Sequence, residues 1–240
     1  MRGDTSLPII GVDAGELPEA MVVVGDPARA EKAAALLDDA RPLARNREFV
    51  SFAGTYRGAR VGVISHGVGA SGAATCFEEL CRGGVNRIVR SGTAGGMQPR
   101  VTDGDLAVAT AAVRADGYTP GVVPEAYPAV PDRALTTRLV EAAGEAHEGI
   151  VLTSAVFYPH DIVGSDLALW QRAGVVAVEM EAAALFVVAS LHGVAAGAVF
   201  AIDGNPLAEE DAGMSGYDPD REVVHRAVDR ALRAAFTALT

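Results

Sequence analysis

The chain has 240 residues, half of them hydrophobic, with 27 glycines and a formal net charge of −11. That is enough for one large α/β domain with a sizeable core and many tight turns, and the acidic balance argues against a general binder of nucleic acid or of membrane surfaces. Cys76 and Cys81, the two cysteines, have neither a disulfide-framework nor a metal-ligand spacing, and with no signal-peptide run and no membrane-spanning stretch a cytoplasmic protein is expected.

A short apolar strand over 21–24 runs into Gly25-Asp-Pro-Ala-Arg29 and a helix over 30–37. Strand, glycine turn and helix start make a place where backbone N–H groups face an anion. Arg29 lies in the helix's first turn, where the dipole disfavours a cation. It is either a surface side chain or an arginine placed to grip a phosphate, and the second makes sense of the conflict. Residues 45–58 alternate and then turn, as a strand followed by a hairpin.

The next strand, 59–65, ends in His66-Gly-Val-Gly69-Ala-Ser-Gly72, with a helix over 73–81. Gly67, Gly69 and Gly72 spell G-x-G-x-x-G, but a dinucleotide site also wants an acidic residue at the end of the following strand. That strand, 87–90, ends in Arg90, which leaves only an NADP version open. Arg90-Ser-Gly-Thr-Ala-Gly-Gly96 reads as strand end and glycine-rich loop, with the Thr93 hydroxyl beside the arginine. Arg29, Arg47 and Arg90 each lie next to a strand end or a glycine turn, and arginine's planar fork suits a tetrahedral oxyanion. Their convergence is an expectation.

A strand over 105–115, a Pro- and Gly-punctuated loop over 118–131, an amphipathic helix over 132–147 and a strand over 149–156 follow. The last ends in Phe157-Tyr158-Pro159, where one aromatic is expected to cap the core and the other to offer a stacking platform for a planar ligand. A short helix over 166–172 carries Trp170, expected to be buried.

Val175-Val-Ala-Val-Glu-Met-Glu-Ala-Ala-Ala-Leu-Phe186 reads as a buried strand passing into a helix over 182–192. A helix start explains one acid. Glu179 and Glu181, at i and i+2 across the strand end, sit where ligands of open α/β sheets collect, and a carboxylate there suits a sugar's vicinal hydroxyls. The final strand, 195–202, ends in Asp203-Gly-Asn-Pro206; Asp203 is either a turn former or a general acid. Residues 207–218 read as a mobile loop and 220–239 as a closing helix. There is no repeat or linker, so one domain over 1–240 is expected, and the histidines have no ligand spacing, so no metal is expected.

Gly25-Asp-Pro-Ala-Arg29, Asn46-Arg-Glu-Phe49, Gly54-Thr-Tyr56, Ser65-His-Gly-Val-Gly69, Arg90-Ser-Gly-Thr93, Val178-Glu-Met-Glu-Ala182 and Asp203-Gly, in that order, together resemble the hexameric class of purine nucleoside and uridine phosphorylases. The stretch 65–98 looks most like the apicomplexan-type purine nucleoside phosphorylases. The resemblance implies a single three-layer αβα domain around a twisted mixed central sheet, assembled as a homo-oligomer, a hexamer built as a trimer of dimers. It implies that Gly25, Arg29, Arg90 and Thr93 bind phosphate, joined by Arg47 from the neighbouring subunit. Glu181 would take the ribose hydroxyls, with Met180 packed on the sugar and Glu179 nearby. Val68 and Tyr158 would pack beside the nucleoside, and Asp203, holding a proton, would serve the base as general acid.

The implied reaction is phosphorolysis of purine nucleosides, inosine- or guanosine-like, to free base and ribose 1-phosphate in nucleoside salvage. Inorganic phosphate is the co-substrate and no cofactor is expected. Uridine phosphorylases carry a Gln-x-Arg just after a Phe-Tyr-Pro segment; here Phe157-Tyr-Pro is followed by His160-Asp-Ile-Val, so purine is favoured. The family's N-terminal histidine, which reaches the neighbour's ribose 5′-hydroxyl, is Ile9 here, which raises a 5′-modified or deoxy substrate. A uridine phosphorylase, a hydrolytic nucleosidase on the same fold and an NADP-dependent oxidoreductase remain the alternatives.

Overall fold

The computed structural model describes residues 6–207, 218 and 220–240. Two short strands, β1 (Ser6–Leu7) and β2 (Val12–Asp13), form an antiparallel ribbon at the start. After them come β3 (Ala20–Val24), α1 (Pro27–Ala34), β4 (Asp38–Asn46), β5 (Phe49–Tyr56), β6 (Ala59–Ser65), α2 (Ala70–Arg82) and β7 (Arg87–Gly96). The second half holds β8 (Leu106–Ala115), α3 (Arg133–Ala143), β9 (His147–Ser154), α4 (Leu167–Arg172), β10 (Ala177–Glu179), α5 (Ala182–His192), β11 (Ala195–Gly204) and α6 (Glu222–Leu239).

Strands β3 to β11 make one mixed nine-stranded sheet in the order β10-β9-β8-β11-β7-β3-β6-β5-β4. β10 also pairs antiparallel with β7, Ala177 opposite Gly96 and Val178 opposite Gly95. That extra pairing closes β7, β11, β8, β9 and β10 on themselves at one end of the sheet.

The central strands β3, β6, β7, β8 and β11 feed two cores, because successive side chains point to opposite faces. Met21 and Val23 of β3 enter one core with α2 and α5, while Ala20, Val22 and Val24 enter the other with α1 and α6. β11 divides the same way, with Ala198, Phe200 and Ile202 on the first face and Val199 and Ala201 on the second. The result is three layers: α2 and α5, the sheet, and α1, α3 and α6. α5 is apolar all round and buried along 182–189, the pattern of a helix with no wet face. α6 buries Val224, Ala227, Val228, Ala231 and Leu232 on one stripe. The segments that follow β3, β6 and β9, the second half of β7 and the ends of β10 and β11 meet at one place, and the candidate residues gather there.

Several boundaries differ from expectation, each for a local reason. α1 starts at Pro27, three residues early, because the Asp26 carboxylate accepts from the Arg29 N–H at 2.9 Å and proline suits the first helical position. α3 stops at Ala143, where Gly144 takes φ 69°, and His147 already belongs to β9. β4 has an exposed, Pro-containing sequence without strand alternation; an edge strand tolerates this. β7 does not end at Arg90 but continues through the glycine-rich run to Gly96, held by β11 alongside. Asp203 is part of β11 rather than a turn, next to an irregularity between Ile202 and Gly204. Trp170 is half-buried, and its indole N–H donates to Asp166 at 2.7 Å. The expected mobile loop falls largely on 208–217, outside the described residues.

Candidate active site

One cavity of about 510 Å³ opens where these segments meet. Of the expected site residues, Gly25, Arg29, Val68, Arg90, Thr93, Tyr158, Glu179, Met180, Glu181 and Asp203 all line it. Arg47 does not. It is exposed at the β4–β5 turn with φ 52°, outside this chain's own cavity.

Arg90 is the buried hub of the polar end. Its side chain is 4% exposed, and its Nε–H donates to Glu179 at 3.2 Å while Nη2 pairs with Glu181. Its Nη1 donates to His66 Nε2 at 2.7 Å. Arg29 reaches the cavity from α1 and pairs with Asp26 at 3.4 Å. The two arginines, the Thr93 hydroxyl and the Gly25 turn make a donor-rich end suited to an oxyanion.

The two glutamates have different jobs. Glu179 accepts from Thr153 Oγ1 (2.6 Å), from the backbone N–H of Glu181 (2.8 Å) and from that of Ala182 (2.9 Å), as well as from Arg90. It caps the start of α5 and braces the arginine, so its oxygens are filled by the protein itself. Glu181 accepts from the Gly69 N–H at 2.5 Å and from Arg90. Gly69 sits at φ 92° at the head of α2, a conformation that glycine adopts without strain. The G-x-G-x-x-G turn thus aims a backbone donor at Glu181 and is spent on that contact. Burial raises the Glu181 pKa against the pull of Arg90, and the neighbouring Glu179 raises it further.

Asp203, 5% exposed, faces the cavity from the end of β11. Its carbonyl accepts from Arg221 Nη2 at 2.8 Å, and Arg221 in turn pairs with Asp103. The walls between these polar ends are apolar, with Val178, Met180 and Pro206 among them. Neither aromatic after β9 caps the core, contrary to expectation: Phe157 is 46% and Tyr158 75% exposed, packed edge to face at the cavity's rim. Val68, which lines the same cavity, is 79% exposed.

Sequence reasoning missed His66, which accepts from Arg90, and Thr153, which braces Glu179 and also accepts from the Ala183 N–H at 2.9 Å. His66 stands directly before the first glycine of a motif already singled out; Thr153 carries no signal beyond being a polar residue in an apolar strand. The segment with Ile9 is pinned down: buried Glu79 accepts from the N–H of Ile9 (3.0 Å) and of Ile10 (2.8 Å), and Asn46 donates to the Ile9 carbonyl at 2.7 Å. The Ile9 side chain packs against its own core.

Comparison with known proteins places this arrangement. The family model described as "Phosphorylase superfamily" matches residues 19–240. The chain belongs to the phosphorylase superfamily. It is 40% identical to the purine nucleoside phosphorylase of Plasmodium vivax over 192 residues, 78% of each chain. It is 36% identical over 237 residues to the guanosine phosphorylase of Halorubrum lacusprofundi, covering 97% of this chain and 98% of that one. Among solved structures, the Toxoplasma gondii purine nucleoside phosphorylase in complex with immucillin-H superposes with a TM-score of 0.93 at 30% identity, covering 100% of this chain and 97% of that one. Uridine phosphorylases are among the relatives as well. The three-layer architecture expected from the resemblance is the fold of this phosphorylase-superfamily chain.

Proposed function

We propose that the cavity binds a purine nucleoside and inorganic phosphate and cleaves the N-glycosidic bond by phosphorolysis. What carries the reading is that Arg29, Arg90 and Thr93 share one cavity with Glu181 and Asp203, although they come from four different elements or loops. An oxyanion end, a carboxylate for vicinal hydroxyls and a carboxyl group beyond an apolar wall match the three parts of the reaction.

In the proposed mechanism phosphate sits on Arg29, Arg90, Thr93 and the Gly25 turn. Glu181 holds the ribose hydroxyls, Met180 packs on the sugar, and Val68 and Tyr158 flank the nucleoside. A phosphate oxygen attacks C1′ while the C1′–N9 bond breaks and its electron pair passes to the purine. Asp203 gives its proton to N7, so the base leaves neutral; the products are free base and ribose 1-phosphate. Fixed dipoles and charges around the developing oxocarbenium supply the larger share of acceleration, and the proton transfer contributes ~10²–10⁴. Arg47 is proposed to enter the site of a neighbouring copy in a hexamer, and the enzyme to act in cytoplasmic nucleoside salvage.

Purine is preferred to uracil because His160-Asp-Ile-Val follows Phe157-Tyr-Pro in place of an edge-reading Gln-x-Arg. The test is release of base from inosine, guanosine, adenosine and uridine with and without phosphate. Phosphate-dependent release from the purines is expected; phosphate-independent release makes the protein a nucleosidase, and release from uridine alone overturns the purine assignment.

A further inference from the structure

The buried cluster behind the cavity contains one side chain that the reaction, as proposed, leaves unused. His66 is fully buried between β6 and α2 and packs edge-on against Phe77, ring centroids 5.3 Å apart. Its Nδ1 lies 2.8 Å from the Gly67 carbonyl, which can only accept, so Nδ1 carries the hydrogen. Nε2 is therefore a lone pair, and Arg90 Nη1, which can only donate, lies 2.7 Å from it. Burial and the Arg90 charge hold the imidazole well below its ordinary pKa, in keeping with a ring that stays neutral. The two hydrogen bonds fix tautomer and orientation at once.

We propose that His66 is a positioning residue for the anion subsite: it fixes the plane of the Arg90 guanidinium so that the N–H donors remaining on Arg90 are held for phosphate. This rests on the reading that Arg90 binds phosphate. A guanidinium has five N–H donors; one goes to each of Glu179, Glu181 and His66, which leaves two. Glu179 and Glu181 grip Nε and Nη2, and a group held along that edge alone can swing about it. His66 is the third support, at Nη1.

The choice of a neutral acceptor also follows from the charges. Two carboxylates already face Arg90, so a third at this position would turn the subsite against an anion, and a cation there would repel the arginine. Packing confines the guanidinium as well. Arg90 Cζ lies over the Phe200 ring, 5.5 Å from its centroid. A Cβ added at Gly92 would come 2.9 Å from Arg90 Nη2 and 3.1 Å from Cζ, closer than carbon packs there without displacing the side chain. Glycine at 92 thus leaves the guanidinium the room in which His66 holds it.

The test compares H66F, H66Q and G92A with the wild type by titration calorimetry of inorganic phosphate alone and by steady-state phosphorolysis of inosine at varied phosphate. H66F keeps a ring but removes the acceptor. It is expected to weaken phosphate, in Kd and in KM, by about tenfold or more, the fold-change of one hydrogen bond to a charged group, while the KM for inosine moves much less. H66Q, whose Oε1 can accept from Nη1, is expected to recover most of that loss. G92A is expected to weaken phosphate by displacing the guanidinium.

A folded H66F with wild-type phosphate affinity overturns the proposal, as does H66Q no better than H66F. If H66F does not fold, H66L, which also lacks the acceptor for Nη1, takes its place, and a folded H66L with wild-type phosphate affinity overturns the proposal. A wild type that binds phosphate but does not cleave nucleosides fails the phosphorylase reading and leaves this one standing on the calorimetry. A wild type that binds no phosphate removes both.

Discussion

Replacing Asp203 by asparagine separates acid catalysis from binding. The side chain is 5% exposed at the end of β11, and its backbone is fixed by the Arg221 bond at 2.8 Å, so an amide of the same shape keeps its place. What disappears is the proton for N7. That predicts a fall in kcat on inosine of ~10²–10⁴, equivalent to roughly 3–5 kcal/mol of transition-state stabilisation, with the KM for phosphate nearly unchanged. A purine nucleoside methylated at N7 provides the control. Its base departs neutral without a proton, so D203N should cleave it at close to the wild-type rate. The assay is steady-state turnover on both nucleosides at saturating phosphate. An equal loss on both substrates, or a phosphate KM that worsens as much as kcat falls, refutes the role of Asp203.

Other perturbations reach the surroundings of the site. T153V removes a donor to Glu179 and an acceptor for the Ala183 N–H; leaving such buried groups unpaired costs about 1–3 kcal/mol, to be read from urea denaturation, and an unchanged midpoint contradicts the bracing role. Glu181 has a folded-state pKa above its ordinary 4.5, so the folded state binds its proton more tightly than the unfolded chain. Its contribution is complete at acid pH and is lost as pH rises through the folded pKa. E181Q should therefore gain stability relative to wild type as pH rises above the ordinary 4.5, and a difference that stays flat there refutes the assignment. I9H, in the N-terminal segment clamped by Glu79 and Asn46, should lower kcat/KM for 5′-deoxyinosine relative to inosine; an unchanged ratio shows that position 9 does not read the 5′ group.

Much of the site was legible because its residues sit at strand ends next to glycine turns, where chain geometry alone limits what they can face. Arg29 and Glu181 could be singled out from conflict with their local setting: a cation in a helix's first turn, and a second acid where one suffices. Glu179 shows the limit of that reasoning. The same pattern that marks a ligand carboxylate also marks a helix cap, and only the bonds to Thr153 and Ala182 assign it to the cap. His66 was invisible because its role depends on a partner 24 residues away, and periodicity carries no information about which strands lie side by side. The fold followed the same division. α5 matched residue for residue, since an unbroken apolar run from Ala182 to Ala189, closed by Gly193, has one sensible reading. β7 ran six residues past Arg90, since glycine and serine are poor strand formers in isolation and join the sheet only through their neighbours. The second pairing of β10, which closes half the sheet, rests on contact between Val178 and Gly95, a tertiary fact without local trace.

The measurement closest to the central claim is phosphorus NMR of the protein incubated with inosine and inorganic phosphate. The account predicts a new phosphate-monoester resonance, that of ribose 1-phosphate, growing in step with the release of hypoxanthine. Hypoxanthine appearing with free ribose and an unchanged phosphate signal would contradict it.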